Sequence, residues 1–133
     1  MQPADPCRED GVVLRQLTAD ARPTDNIYGE QPYASADGTR LLVRHYAAGG
    51  EEGGLSILDL EDGGLHPVVH GTPRFPAFHG WGTHLYYQEA VDGELRLRRC
   101  HYRTLERTDL LALPTADGRY SYGTVSPDGR YYA

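Results

Sequence analysis

Features typical of a nucleic-acid-binding or membrane protein are missing from this sequence. Its 13 basic residues are outnumbered by 19 acidic ones, the formal charge is −6, and no basic run offsets it. Phosphates are repelled by such a charge, so we expect neither nucleic acid nor an anionic membrane as a partner. No stretch approaches the ~20 apolar residues that span a bilayer. The first six residues lack the basic start and apolar core of a signal peptide, so we expect a cytoplasmic protein.

Residue patterns that carry catalysis or bind metal are also absent. The two cysteines, Cys7 and Cys100, are expected to stay unpaired because no export signal precedes them. The glycine-rich stretch at 49–54 lacks the lysine of a phosphate loop, and there is no G-x-S-x-G sequence. The six histidines show no metal-motif spacing on one face. We therefore predict no catalytic residue and no metal ligand in this chain.

What the sequence does contain is a repeated turn. Ser35-Ala36-Asp37-Gly38 and Ser126-Pro127-Asp128-Gly129 are each followed by a basic residue and a short apolar or aromatic strand, and residues 80–82 form an altered copy. The glycines at 38, 82 and 129 are 44 and 47 residues apart. This period, with strand-and-turn composition, is typical of β-propeller blades. The sequence thus predicts an all-β fold, with the aspartates of the repeat serving the turns.

The repeat divides the chain into two four-stranded blades and the start of a third. A complete propeller of ~45-residue blades needs roughly 180–360 residues, so we expect the N-terminal part of a longer, seven-bladed propeller. The predicted segments are a leader over 1–11, an outer strand over 12–18 that closes the ring, a long connection over 19–31, blade one over 31–69, blade two over 74–113 and a truncated blade three over 120–133. Because its sheet faces stay uncovered, this segment alone is expected to be poorly stable and to self-associate.

The repeat resembles that of TolB-like propellers, which are similar to WD-type propellers in their SPDG-type turns. The opening is similar to the start of oligogalacturonate lyases, in the residues Asp10-Gly11, Arg15-Gln16-Leu17-Thr18, Asn26-Ile27-Tyr28, Pro32-Tyr33-Ala34-Ser35 and Asp37-Gly38. This resemblance implies metal-assisted β-elimination on pectin-derived oligouronides, with a divalent metal such as Mn²⁺ bound by residues outside this segment. The segment alone is then expected to be inactive.

Two other functions remain open at this stage. A TolB-like propeller can act as a protein-binding scaffold, and a propeller can also be the accessory domain of a prolyl oligopeptidase-type enzyme. The expected ligand is accordingly an oligosaccharide or a protein, bound at the propeller funnel. The three functions differ in the residues that the parent chain would carry beyond Ala133.

The candidate ligand-binding residues are those predicted to lie near the funnel, which is the deepest concavity of a closed propeller. Asn26, Tyr28 and Glu30 lie on the long connection, and loops on a rigid scaffold often carry binding groups. The same residues could instead cover the sheet edge or serve a turn. Arg74 could bind a carboxylate or form an ion pair with Glu30. His79 is the histidine predicted to lie nearest the axis.

Overall fold

The computed structural model describes residues 7–9, 12–18, 22–25, 33–50, 52–71, 74–78, 82–113, 125–126 and 128–132, with the backbone alone described for Cys7–Glu9 and Arg74–Phe78. All regular structure in these residues is β-strand, which confirms the predicted all-β class. Within the same ranges there is no helix long and apolar enough to cross a membrane.

The described strands form two four-stranded antiparallel sheets and a separate hairpin. The strands are β1 (Cys7–Glu9), β2 (Val12–Leu14), β3 (Thr24–Asp25), β4 (Arg40–His45), β5 (Gly54–Asp59), β6 (Leu65–His70), β7 (Arg74–Phe78), β8 (His84–Val91), β9 (Glu94–His101) and β10 (Arg107–Leu113). The first sheet has the order β3-β4-β5-β6, the second has the order β7-β8-β9-β10, and the hairpin pairs β1 with β2.

Two short strands lie where the sequence predicted none. β3 falls within the predicted connection, yet it pairs with β4, opposite His45 and Arg44. A bond of 3.0 Å between the Thr24 hydroxyl and His45 Nδ1 helps to hold it there. β1 lies within the predicted leader and pairs with β2. Each strand is only two or three residues long, so a period-2 pattern has too few positions to become visible in the sequence.

The two SxDG turns share the same hydrogen bonds, as the repeat predicts. In the Ser35–Gly38 turn the glycine N–H donates to the serine carbonyl at 2.9 Å, and in the turn at Ser126, Asp128 and Gly129 the distance is 2.8 Å. In both, the serine hydroxyl donates to the aspartate carboxylate at 2.6 Å. The glycine φ angles are 69° and 68°, a left-handed conformation that favours glycine.

The β8–β9 hairpin takes its register from a two-residue turn. Asp92 and Gly93 have φ angles of 51° and 82°, as a type I′ turn requires. Such a turn matches the right-handed twist of the flanking strands. It fixes the pairing of Leu85 with Cys100 and of His84 with His101.

The main core lies between the two sheets. It combines side chains of β4, β5 and β6 with side chains of β8, β9 and the turn after β9, namely Leu42, Leu55, Ile57, Val68, Val69, Leu85, Tyr87, Cys100 and Tyr102. Cys100 is a free, buried thiol. Two hydrogen bonds also join the sheets, from Arg107 to the Pro67 carbonyl at 2.8 Å and from the Ala36 N–H to the Gly82 carbonyl at 3.2 Å. The two sheets therefore pack face to face.

The opposite face of the second sheet packs against the last described turn. Tyr86 contacts Val125 and Tyr132 in a smaller apolar cluster. Gln88, only 1% exposed, donates from Nε2 to the Tyr132 hydroxyl at 2.7 Å. Strand side chains alternate between faces, so β8 contributes Leu85 and Tyr87 to one cluster and Tyr86 to the other. The second sheet is thus covered on both sides near β8.

The buried phenol of Tyr87 predicts a loss of stability at high pH. Tyr87 is fully buried, its hydroxyl has no hydrogen-bond partner among the described residues, and burial raises its pKa to about 12. The unfolded phenol ionises near pH 10 while the folded one stays neutral, so its stabilising contribution is complete below pH 10 and is lost between pH 10 and 12. We expect ionisation of the Tyr87 phenol to lower the free energy of unfolding by about 3 kcal/mol.

The measurement is urea unfolding at pH 8, 10 and 11.5. The chain contains no lysine, so tyrosine and cysteine are the side chains that titrate in this range. Tyr87→Phe should flatten the decline in stability. Tyr131→Phe is the matched control because Tyr131 is 69% exposed, and it should leave the pH profile unchanged. Equal profiles for the wild type and Tyr87→Phe would contradict the assignment.

Candidate functional site

The residues that the sequence analysis selected as ligand-binding candidates are not tested by the structure. Asn26, Tyr28, Glu30 and His79 lie outside the described residues. Arg74 begins β7, where it pairs with Gln88 of β8, but its side chain is not described. A ligand site built from these residues stays a prediction.

Two residue pairs at one edge of the first sheet enclose the latter part of the predicted connection between them. Asp25 pairs with Arg44, and Ala34 forms a bridge with Leu41. From Leu41 to Arg44 the chain advances three positions, whereas from Asp25 to Ala34 it advances nine. The segment that pairs with β4 therefore has six more residues between the two pairs than β4 has. In the second sheet the corresponding shift, between Arg74 and Ala77, is one residue. The predicted binding residues Asn26, Tyr28 and Glu30 therefore fall between these two described pairs.

A small polar cleft lies between the sheets on the side of the SxDG turn. It has a volume of about 240 Å³ and is lined by Ser35, Ala36, Asp37, Arg40, Thr83, His101, Tyr102 and Arg103. Its charged groups are already engaged within the fold. Hydrogen bonds from Ser35 and Thr39 hold the pKa of the Asp37 carboxyl well below its usual value. Arg40 forms an ion pair with Asp59 at 2.7 Å. The charged groups that line this cleft therefore stabilise the turns of the fold.

The hairpin register brings two histidines together. The rings of His84 and His101 have centroids 4.9 Å apart, in an edge-to-face arrangement. His101 Nδ1 accepts hydrogen bonds from the backbone N–H groups of Arg103 and Thr104, at 3.1 Å each. This pair is not among the candidate residues selected from the sequence, although a two-residue turn at Asp92-Gly93 already implies the pairing. Among the described residues there is no group of three or more acidic, histidine or cysteine side chains that could hold a metal ion.

A second cavity, larger than the polar cleft, is an apolar groove beside β10. It has a volume of about 620 Å³ and is lined by Tyr86, Leu97, Leu110, Leu111, Leu113, Val125, Gly129, Arg130, Tyr131 and Tyr132. We call this set the β10 groove. Leu110 is 39% exposed, Leu111 is 50% exposed and Tyr131 is 69% exposed. Large apolar side chains that stay together in water are typical of contact surfaces.

A β-bulge explains why two adjacent leucines of β10 are exposed. Asp109 pairs with Arg98 and Leu111 pairs with Leu97, so Leu110 has no opposite residue in β9. The bulge bends the strand locally and breaks the alternation of its faces. The signal in the sequence was the pair Leu110-Leu111, which interrupts a period-2 pattern. The bulge itself is not among the features predicted from the sequence.

Charged residues on the other face of the second sheet pair with one another. Asp109 binds Arg98 at 2.6 Å and Arg96 at 2.9 Å, and Arg98 also contacts Glu89. The hydrogen bond from Arg96 is the main cause of a lowered pKa of the Asp109 carboxyl. These ionic groups therefore pair with one another, and the lining of the groove is mostly apolar.

Comparisons with known proteins identify the fold and no closer relationship. No protein-family model matches the sequence, and no curated protein matches it. A solved structure of TolB from Acinetobacter baumannii is similar, with a TM-score of 0.58 and 12% sequence identity. The similarity covers 91% of this chain and 28% of the TolB chain. At this identity the comparison supports a TolB-like fold alone, and it agrees with the propeller predicted from the repeat.

Proposed function

We propose that this chain is part of a TolB-like β-propeller that binds other proteins, and that the β10 groove is one of its contact surfaces. The groove itself is the observation that carries the proposal: about 620 Å³ of open space bordered by aliphatic and aromatic side chains. Exposed tyrosines are common at the energetically dominant positions of protein interfaces. Among the residues that the structure describes, Tyr131 is the most exposed large apolar one, and it lines this groove.

The groove suits a protein segment better than a sugar. Its walls come from β8, β9, β10 and the turn at Gly129, and most of them are hydrocarbon. A uronate ligand needs positive charge or dense hydrogen-bond donors for its carboxylates. Apolar side chains of a partner, in contrast, gain free energy by leaving water in such a groove.

The proposal can be tested with peptides selected from a displayed library on the immobilised chain. We expect selected peptides to be apolar and to bind Leu111→Asp and Tyr131→Asp at least ~10-fold more weakly than the wild type. Tyr46→Asp is the matched control, because Tyr46 is 43% exposed and does not line the groove. Equal binding to the wild type and to both groove variants would contradict the proposal.

A second candidate function is that of an oligogalacturonate lyase relative, which is favoured by the similarity of the opening residues. On this hypothesis the metal and the catalytic residues come from outside the segment. The same purified chain can be incubated with oligogalacturonate and Mn²⁺ while the ultraviolet absorbance of the unsaturated product is followed. We expect no product from this segment, whereas metal-dependent product would favour the lyase and show that catalytic groups lie within it.

The location of the protein in the cell and the ligand of its funnel are also proposals. We propose a cytoplasmic protein whose funnel binds a protein or an oligosaccharide, with Asn26, Tyr28, Glu30, Arg74 and His79 near that ligand. Alanine variants at these positions should weaken the binding of funnel ligands and leave the affinity for groove-binding peptides unchanged.

A further inference from the structure

Strand β9 carries arginines on both of its faces, and the arginines of the two faces differ in their partners. Arg96 and Arg98 lie on one face, where they bind Asp109 at 2.9 Å and 2.6 Å. Arg99 lies on the opposite face and is half-buried. Within the described part of the chain its guanidinium has no hydrogen-bond acceptor and no ion pair, and its Nε is shielded from water. Arg99 therefore holds a positive charge that the described fold does not neutralise.

The strand register places Arg99 on the face that forms the β10 groove. Leu97 lines the groove, and Arg99, two residues later in β9, points to the same side. Arg99 is paired with Tyr86 of β8, which also lines the groove, and with Thr108 of β10. The preceding pair on this face is Leu97 with Leu111. Along β9, the groove face thus changes from leucine to a guanidinium.

The charge of the groove lining has one sign. Among the described residues that line it, Arg130 is basic and none is acidic. Asp128 is close to Arg130 in the sequence, and its carboxylate accepts hydrogen bonds within the turn, from the Ser126 hydroxyl at 2.6 Å and the Arg130 N–H at 3.2 Å. The groove therefore combines an apolar lining with positive charge.

We propose that the β10 groove binds a segment of a partner protein that carries a side-chain carboxylate beside its apolar residues, and that Arg99 binds this carboxylate. The inference rests on the proposed function and names the chemistry of the partner. A guanidinium presents paired donors that match the two oxygens of a carboxylate, and such a pair is stronger than a hydrogen bond between neutral groups.

The position of Arg99 explains why the partner needs an acceptor. A segment that covers the groove also takes water away from the terminal nitrogens of Arg99. An entirely apolar segment would leave these donors unsatisfied, which costs free energy, and a basic segment would add repulsion. An oligouronide has a carboxylate on every unit and little apolar surface, so it would leave the leucines of the groove in water. An apolar segment with a carboxylate satisfies both parts of the surface.

Synthetic peptides test this assignment on the whole chain. Peptides selected from the displayed library should contain aspartate or glutamate beside apolar residues more often than the unselected library does. One such peptide is made with an amidated C-terminus, together with a neutral counterpart in which asparagine or glutamine replaces the acid. Their dissociation constants are measured by fluorescence anisotropy. We expect the neutral peptide to bind the wild-type chain ~10-fold more weakly, because it cannot form the charge-assisted pair.

The variant Arg99→Gln separates this contact from a general effect of charge. It should bind the acidic peptide ~10-fold more weakly than the wild type does and should bind the neutral peptide equally well, since the two changes remove the same interaction. Arg103→Gln is the matched control, because it removes the same charge from a residue that is 60% exposed and does not line the groove. It should bind both peptides as the wild type does.

The outcomes distinguish this inference from the proposed function. Equal binding of the acidic and neutral peptides to the wild type, selection of basic peptides, or equal losses for Arg99→Gln and Arg103→Gln would overturn the role of Arg99. Weaker binding of the same peptides to Leu111→Asp and Tyr131→Asp would then still support a protein-binding groove. Unchanged binding to both groove variants, or no selected peptide at all, would overturn the proposed function and the inference together. The comparison of the two peptides on the wild-type chain does not depend on how well Arg99→Gln folds.

Discussion

Replacing Arg40 by alanine should destabilise the chain by about 3 kcal/mol, because it leaves a buried carboxylate unpaired. The Arg40 guanidinium lies 2.7 Å from Asp59 and 3.2 Å from Glu61. The side chains of Arg40 and Asp59 are each 10% exposed, so little water replaces the lost partner. The pair joins the SxDG turn to the turn between β5 and β6. Arg40 is the basic residue that follows the repeated turn in the sequence.

Denaturant unfolding of a double-mutant cycle measures this effect. Asp59→Ala should cost a similar amount, and the double variant should cost about 2 kcal/mol less than the sum of the single ones, since the two side chains act together. Arg103→Ala is the matched control, because Arg103 is 60% exposed and lies 3.9 Å from both Asp37 and Glu61. It should change stability by less than about 1 kcal/mol. An Arg40→Ala effect no larger than that of Arg103→Ala would contradict the assignment.

Replacing Leu85 by alanine should also destabilise the chain by about 3 kcal/mol, through the cavity that it leaves between the two sheets. Leu85 is fully buried and belongs to the cluster that both sheets share. The lost packing should destabilise the contact between the two sheets as well as the second sheet itself.

Thermal and urea unfolding of Leu85→Ala can be compared with Leu111→Ala. Leu111 is 50% exposed in β10, so its truncation should change stability by no more than about 0.5 kcal/mol. This comparison keeps the chemical change constant and varies only burial. Similar costs for both variants would show that the described core is not the one that stabilises the chain.

The sequence predicted regular features of the fold because each has a local cause. The SxDG turns follow from residues that accept left-handed or bent backbone. The burial of one face of a strand follows from alternating apolar residues. These signals need only a few neighbouring residues, so they can be read without the structure.

Other features depend on contacts between distant residues and were not predicted. β3 is a strand because it lies against β4, some 20 positions later, and Thr24 binds His45 across that gap. The exposed leucines of the β10 groove depend on a bulge and on a turn at Gly129 that borders them. Burial of Gln88 depends on Tyr132, 44 residues away. Apolar residues in a strand show that one face is buried, and they do not show which neighbour covers it.

The two repeated sheets pack face to face, as in a TolB-like propeller. Nuclear Overhauser contacts between side chains of the two sheets test it most directly. We predict contacts from the methyl groups of Leu42 and Ile57, in the first sheet, to the Leu85 methyls and the Tyr87 ring in the second. Contacts confined to residues within each sheet, with none between the sheets, would contradict it.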